Sequence, residues 1–266
     1  MALAQHLDDQ LRYNQQVENS RNFVLPFINE KFPVHPGMHI MEIGCGEGGV
    51  LVPFLELGCP CVGVDLQPAR IALAKNFLAP YVKEDRVQLI AKNIYDVDFY
   101  GAFQHAFDLI ILKDAIEHIP DQEKLIGYLK GLLKPGGQIF FGFPPWYMPH
   151  GGHQQICESK ILSFWPYIHL LPRGIYRGIL RLFKEHDSTV KELMEVKDTG
   201  ISIERFEKII KRQSYQITHK RFYLINPIYK YKFNLKPRTQ AAWMAALPYV
   251  RDFFTTCVYY LIQVEK

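Results

Sequence analysis

The chemistry of this chain starts at one short run, Glu42-Ile43-Gly44-Cys45-Gly46-Glu47-Gly48-Gly49. Glycines in a turn between a strand and a helix let a ligand come close to the backbone. The helix that follows offers unpaired N–H groups and the positive end of its dipole. Asp65 ends the next apolar run, about 20 residues on, where a carboxylate accepts both hydroxyls of a ribose. A structural turn with an incidental acid would show the same glycines. It would not explain why turn, acid and strand–helix alternation agree. Gly44, Gly46 and Gly49 also satisfy G-x-G-x-x-G, the dinucleotide pattern. Glu42 discriminates, because it closes an otherwise apolar strand just before the first glycine. A pyrophosphate beside it would be repelled by a few kcal/mol in a partly buried site. A cofactor carrying an amine and a sulfonium would be welcomed.

A second set of residues could move protons. His118 follows Glu117, and His150 and His153 stand in the run His150-Gly-Gly-His153. A neutral imidazole serves as general base when the acceptor is a weak acid such as an alcohol or phenol. Glu117-His118 could equally cap or pack the next helix, and His150 and His153 could be solvated loop histidines. As a metal pair those two lack a clear third ligand, so no metal is expected. Cys45, Cys59, Cys61, Cys157 and Cys257 are odd in number and lack paired zinc-ligand spacing, which suits a reduced, intracellular protein. Cys45 contributes small size and backbone to the turn.

These groups need elements to hold them. The stretch 3–32 carries Leu7, Leu11, Val17, Phe23, Val24, Phe27 and Ile28 at loosely helical spacing and reads as one helix, stopped by Pro33 and Pro36. Five short apolar runs then alternate with helix patterns: strands in HIMEI, CVGVD, VQLIA, FDLIILK and GGQIFFGF, helices in VLVPFLELG, PARIALAKNFLAPYV and PDQEKLIGYLKGLL, and a short helix or loop in DVDFYGAF. That rhythm predicts βαβ units and a parallel sheet covered on both faces. After Phe143 it breaks. Residues 185–200 are polar and read as mobile. SIERFEKIIKRQ reads as a helix with Ser202 as N-cap. SYQITHKRFYLI and FFTTCVYYLIQVEK read as two long strands, too far apart for a tight hairpin.

Composition sets the outer limits. The 266 residues are 48% hydrophobic and 22% charged, which excludes a disordered or fibrous chain. Lys+Arg 31 against Asp+Glu 27 gives +4, too small an excess to imply nucleic acid. No stretch reaches the roughly 18 apolar residues of a spanning helix. The opening MALAQHLDDQLRYNQQ lacks the apolar core of a signal peptide, so a cytoplasmic protein is expected.

The segment 144–200 should choose the substrate. Trp146, Tyr147, Phe164, Trp165, Tyr167 and Tyr176 could wall an apolar acceptor pocket as a lid. PRGIYRGILRLFK sets Arg173, Arg177, Arg181 and Lys184 among Ile175, Ile179, Leu180 and Phe183, which suits peripheral contact with an anionic membrane. Packing on the domain or on a second subunit would use the same residues. Lys220-Arg221 with Lys230, Lys232, Lys236 and Arg238 is basic among Tyr and Phe, but solvated strand faces look alike, and no nucleic acid partner is expected.

Taken together, E-x-G-x-G-x-G after the first strand resembles motif I of the class I S-adenosylmethionine-dependent methyltransferases. Phe107-Asp108 through Lys113-Asp114 to Glu117-His118 resembles their strand-four signature, and Leu133-Lys134-Pro135-Gly136-Gly137 the turn before strand five. The resemblance covers about residues 35–145 and the two late strands, and looks nearest the ubiquinone/menaquinone-type small-molecule subgroup. It implies one domain over 1–266: a doubly wound, mostly parallel seven-stranded α/β sheet with an N-terminal helix. Within it, 35–145 would form the cofactor-binding core, 144–200 a cap inserted after strand five, and 201–266 a helix and strands completing the sheet. S-adenosyl-L-methionine would be the cofactor. Glu42 would govern its amine end with Gly44, Cys45, Gly46 and Gly48. Asp65 and Leu66 would hold the ribose, Asn93 and Ile94 would flank the adenine, and Lys113 and Asp114 would line the region beneath the methionine. Asn93 departs from the more common aspartate, and an amide still pairs with the adenine amino group. The reaction implied is methyl transfer to a small, partly apolar acceptor, oxygen first. An NAD-dependent oxidoreductase and a non-catalytic S-adenosylmethionine binder are the competing readings, and a monomer and a homodimer are both compatible with the sequence.

Overall fold

The computed structural model describes residues 8–265. Five apolar runs form parallel strands: β1 (Ile40–Ile43), β2 (Cys61–Asp65), β3 (Val87–Ala91), β4 (Phe107–Lys113) and β5 (Leu133–Phe143). Side chains alternate across a strand, so a sheet buried on both faces needs two cores. Met41, Ile110, Ile139 and Phe141 point into one, with Leu125 and Phe206 from the covering helices. Ile40, Leu109, Ile111 and Phe140 point into the other, with Phe27 and Phe54.

Three further strands complete the sheet: β6 (Tyr215–Ile225), β7 (Arg238–Thr239) and β8 (Cys257–Val264). The spatial order is β3-β2-β1-β4-β5-β8-β6-β7, with β8 antiparallel to both β5 and β6. The sheet is therefore eight-stranded, mostly parallel, and not seven-stranded as expected. The additional strand is a two-residue edge pairing inside the β6–β8 connection, too short to leave a period in the sequence. Strand order reverses between β1 and β4. In open α/β sheets the ligand crevice opens at that point, beyond the carboxyl ends of the strands. Glu42 and Gly44 lie at one of those ends, Lys113 and Asp114 at the other.

Several helices differ from expectation. The run 3–32 begins outside the described residues and is then broken into Asp9–Asn19, a π-helical turn Ser20–Val24, and Leu25–Asn29. Pro26 removes a donor from the ladder, and the helix widens just before it. Ser20 Oγ uses that turn to donate to the Val50 carbonyl at 2.7 Å. The run after Pro68 divides at Leu78, ahead of Pro80, into Pro68–Phe77 and Ala79–Lys83. DVDFYGAF resolves to the helix Val97–Phe103.

The largest correction concerns 185–200. Instead of a polar, mobile stretch it contains the helix Asp187–Thr199. Val190, Leu193 and Met194 recur at helical spacing and bury against Leu162, Ile168, Tyr176 and Leu180. With the helices Lys160–Phe164 and Arg173–Leu182 they form a small core of their own after β5. The charges that suggested mobility are the solvent face of an amphipathic helix.

Candidate active site

Glu42 is buried to 2% exposure at the end of β1, and its Oε2 has no hydrogen-bond partner among the described residues. Burial drives its carboxyl well above the usual carboxylate range, while the Lys113 ammonium pulls the other way. A buried acid left without a donor is costly, so it marks where a cationic ligand group would be repaid. It opens into a cavity of about 120 Å³, lined also by Arg12, Gln16, Gly46, Lys113 and Asp114.

The turn is fixed from below. Gly44 and Cys45 donate their N–H groups to the Val64 carbonyl at 2.8 and 3.1 Å. Gly46 N donates to Asp65 Oδ2 at 3.0 Å, and Gln67 N to Asp65 Oδ1 at 2.8 Å. The ribose candidate thus also clamps the glycine turn. Gly48 needs its lack of a Cβ twice over: its φ is +80°, and a Cβ would come 2.7 Å from Leu78 Cδ1. At Gly49 a Cβ would meet the Tyr13 carbonyl oxygen at 2.8 Å, because the N-terminal helix Asp9–Asn19 packs directly on the turn.

Glu42, Gly44, Cys45, Gly46, Lys113 and Asp114 line the one cavity. Asp65, Leu66, Asn93 and Ile94 lie beyond it, at and just after the ends of β2 and β3. Leu66 and Asn93 are exposed, and Asn93 Oδ1 accepts from Tyr95 N at 3.0 Å. Ile94 is buried, its carbonyl accepting from the Tyr128 hydroxyl. A cavity of this size takes the amino-acid end of a nucleoside sulfonium. The adenosine would extend across the ends of β2 and β3.

Spatial neighbours add residues that no spacing revealed. Arg12 reaches from the N-terminal helix to pair with Glu47 of the turn. Lys113 is buried and pairs with Asp114, whose φ of +52° is unusual for a non-glycine residue. The helix Tyr229–Phe233, in the connection after β6, comes over the same region. Gln15 Nε2 donates to the Tyr231 carbonyl at 3.3 Å, and both Tyr229 and Lys232 feel the charge of Asp114.

The histidines separate. His153 Nε2 lies 3.9 Å from Glu117 Oε1, and the His118 and His153 rings meet edge to face at 4.6 Å. His153 has φ +59°, a second left-handed residue at the site. Burial disfavours its charged form, yet the Glu117 carboxylate holds its pKa above the ordinary imidazole value. Glu117 is buried, and apart from the His153 pairing its carboxylate oxygens make no hydrogen bond among the described residues. Donor atoms of Glu117, His118 and His153 lie within 4.8 Å of one another, close enough to converge on one cation. The sequence paired His150 with His153 instead. His150 stands outside this group, and burial lowers its pKa. The helix Asp187–Thr199 holds Glu117 in place: Thr199 Oγ1 donates to the Glu117 carbonyl, and Gln122 Nε2 donates to the carbonyls of Thr199 and Ile116.

A doubly wound sheet, a glycine turn at its switch point, and a buried acid in place of a pyrophosphate site define the class I S-adenosylmethionine-dependent methyltransferase fold. A family model described as "Methyltransferase domain" matches residues 14–195, and the chain belongs to that family. The ubiquinone biosynthesis O-methyltransferase of Coxiella burnetii is 30% identical over 105 residues, 40% of this chain and 43% of that relative. Phosphoethanolamine N-methyltransferase 2 of Caenorhabditis elegans is 33% identical over 105 residues, 39% of this chain and 23% of that protein. The chain thus spans less than half the length of these relatives. The geranyl diphosphate C-methyltransferase of Streptomyces coelicolor A3(2), solved with S-adenosyl-L-homocysteine, has a TM-score of 0.57 at 16% identity, covering 94% of this chain and 78% of that one. At that identity the likeness establishes the fold. S-adenosylmethionine is the cofactor of the class, and the unpartnered Glu42 oxygen beside the glycine cradle fits its amine.

Proposed function

We propose that this protein transfers the methyl group of S-adenosylmethionine to a hydroxyl oxygen of a small, partly apolar acceptor, with His153 as general base. The observation that carries this reading is the pairing of half-buried His153 with buried Glu117, which lies just past the end of β4. Bound S-adenosylmethionine supplies an already activated methyl on a sulfonium. The chain then has three tasks. Glu42 and the turn orient the amino-acid end. Asp114 and the helix Tyr229–Phe233 wall the region where an acceptor would lie. His153, with Nε2 toward Glu117, takes the hydroxyl proton at Nδ1 as the oxygen–carbon bond forms and the carbon–sulfur bond breaks. Membership of the methyltransferase-domain family sets the NAD-dependent reading aside. The protein is further proposed to work at a membrane surface, through residues considered below.

The test combines calorimetry with methyl transfer to a panel of phenols and catechols. His153→Ala should lower kcat by about 10²–10⁴-fold, the usual worth of a general base, and leave S-adenosylmethionine affinity unchanged. An unchanged kcat removes His153 from the mechanism. Turnover abolished by EDTA and restored by magnesium would make Glu117, His118 and His153 metal ligands instead. Cofactor binding without turnover on any acceptor would favour a non-catalytic binder.

A further inference from the structure

Charge is spread unevenly along this chain. It holds 27 Asp and Glu, yet none falls within 159–184 or 208–251, stretches that carry five and ten Lys and Arg. The rest of the molecule is therefore net acidic. The first stretch packs against the chain just past the second, beyond Asp252. The Tyr167 hydroxyl donates to the Phe253 carbonyl at 3.3 Å, and the rings of Tyr147 and Tyr167 stand 5.4 and 6.0 Å from that of Phe253.

In and around these segments, large apolar side chains face solvent. Phe164 is 70% exposed and Trp243 66%. Trp165, Leu247, Val250 and Phe254 are exposed as well. Tyr249 is 72% exposed and has φ +65°, a costly conformation for an aromatic residue. Its N–H donates to Glu204 Oε1 at 2.8 Å, which holds the strained backbone with the ring outward.

We propose that the cap and the β6–β8 connection together form one surface that docks on an anionic lipid bilayer. Trp and Tyr suit the headgroup boundary, and protruding Leu, Val and Phe suit the acyl region below it. Many cations of the two stretches are already spent: Lys220 on Glu207, Arg221 on Glu30, Arg251 on Glu204 and Glu207, Arg173 on Asp198. Lys160, Arg177, Arg181, Lys236 and Arg238 are exposed and form no ion pair among the described residues, which leaves them for lipid phosphates. RNA would use the same cations but has no need of protruding aliphatic side chains. The surface differs from the one the sequence suggested. Tyr176 and Leu180 of the basic helix Arg173–Leu182 are buried in the cap's own core, so that helix presents only Ile175 and Leu182 outward. The cap also ends at Thr199 against Glu117, so one element links the bilayer face to the site. That deepens the reading of an apolar acceptor. The docking itself is measured without turnover, so either can fail alone.

The test floats the full chain with vesicles of phosphatidylcholine alone or with phosphatidylglycerol, at low and high salt. Binding is expected on phosphatidylglycerol vesicles at low salt, with loss at high salt. Lys236→Glu with Arg238→Glu should weaken it by about fivefold or more per cation. Trp243→Ser with Tyr249→Ser should weaken it about tenfold or more, with circular dichroism unchanged. Brominated lipids should quench the tryptophan emission of the unaltered protein, a measurement that needs no variant. Absence of vesicle binding at low salt overturns the proposal. So does preference for a single-stranded RNA over the vesicles, or a stable dimer in light scattering that Trp243→Ser dissolves.

Discussion

Glu42 is a residue costly to the fold and proposed to be needed at the site. It is buried, acidic and unpartnered at Oε2, so the protein carries it at the expense of stability. Glu42→Gln should therefore raise the melting temperature of the cofactor-free protein. The same change should weaken S-adenosylmethionine binding by about 1.5–3 kcal/mol, the worth of a hydrogen bond to a charged group. Calorimetry and thermal unfolding on one sample check both directions; a loss of stability with affinity intact would remove Glu42 from the cofactor site. Glu117 makes a second case. It holds the pKa of His153 above the ordinary imidazole value. As the proposed base, His153 acts as the neutral ring, so activity should appear as pH rises through that raised pKa. Glu117→Gln removes the carboxylate that favours the charged ring. The acidic limb of the kcat–pH profile should then move to lower pH while the maximal rate falls. A limb that stays in place would separate Glu117 from the base.

At the scale of elements, the site depends on segments that do not touch it in sequence. The helix Asp187–Thr199 shares no motif with the turn, yet its last residue bonds the Glu117 carbonyl. Leu193 is fully buried in the cap core, and Leu193→Ala should cost about 2–5 kcal/mol of local stability. Hydrogen exchange should rise across 187–199 and kcat should fall, while S-adenosylmethionine affinity stays near its original value. Exchange unchanged in that helix would refute its part in holding Glu117. The N-terminal helix plays the corresponding role on the cofactor side, where its backbone rests on Gly49 and Arg12 pairs with Glu47.

Over the whole molecule, the parts legible in the sequence were those with a local physical cause. Short continuous apolar runs alternating with helix patterns predict parallel strands buried on both faces, so β1–β5 and the doubly wound sheet could be read directly. A glycine turn between two strand ends that carry acids constrains backbone and charge locally, so the turn and the positions of Glu42 and Asp65 could be located without coordinates. Short pairings and polar helices were hidden: β7 spans two residues, and the apolar stripe of Asp187–Thr199 is masked by its charged face. Histidine partnership was equally out of reach. His150 and His153 are neighbours in the chain, but a turn at left-handed His153 sends its ring to Glu117 and His118. Sequence by itself determined the sheet, the glycine turn and the acid just before it, because each follows from neighbours along the backbone. Only the tertiary structure decided which histidine meets which carboxylate and which helices pack together after β5. Those are distances across the chain, set by packing and strand order, and no local spacing encodes them.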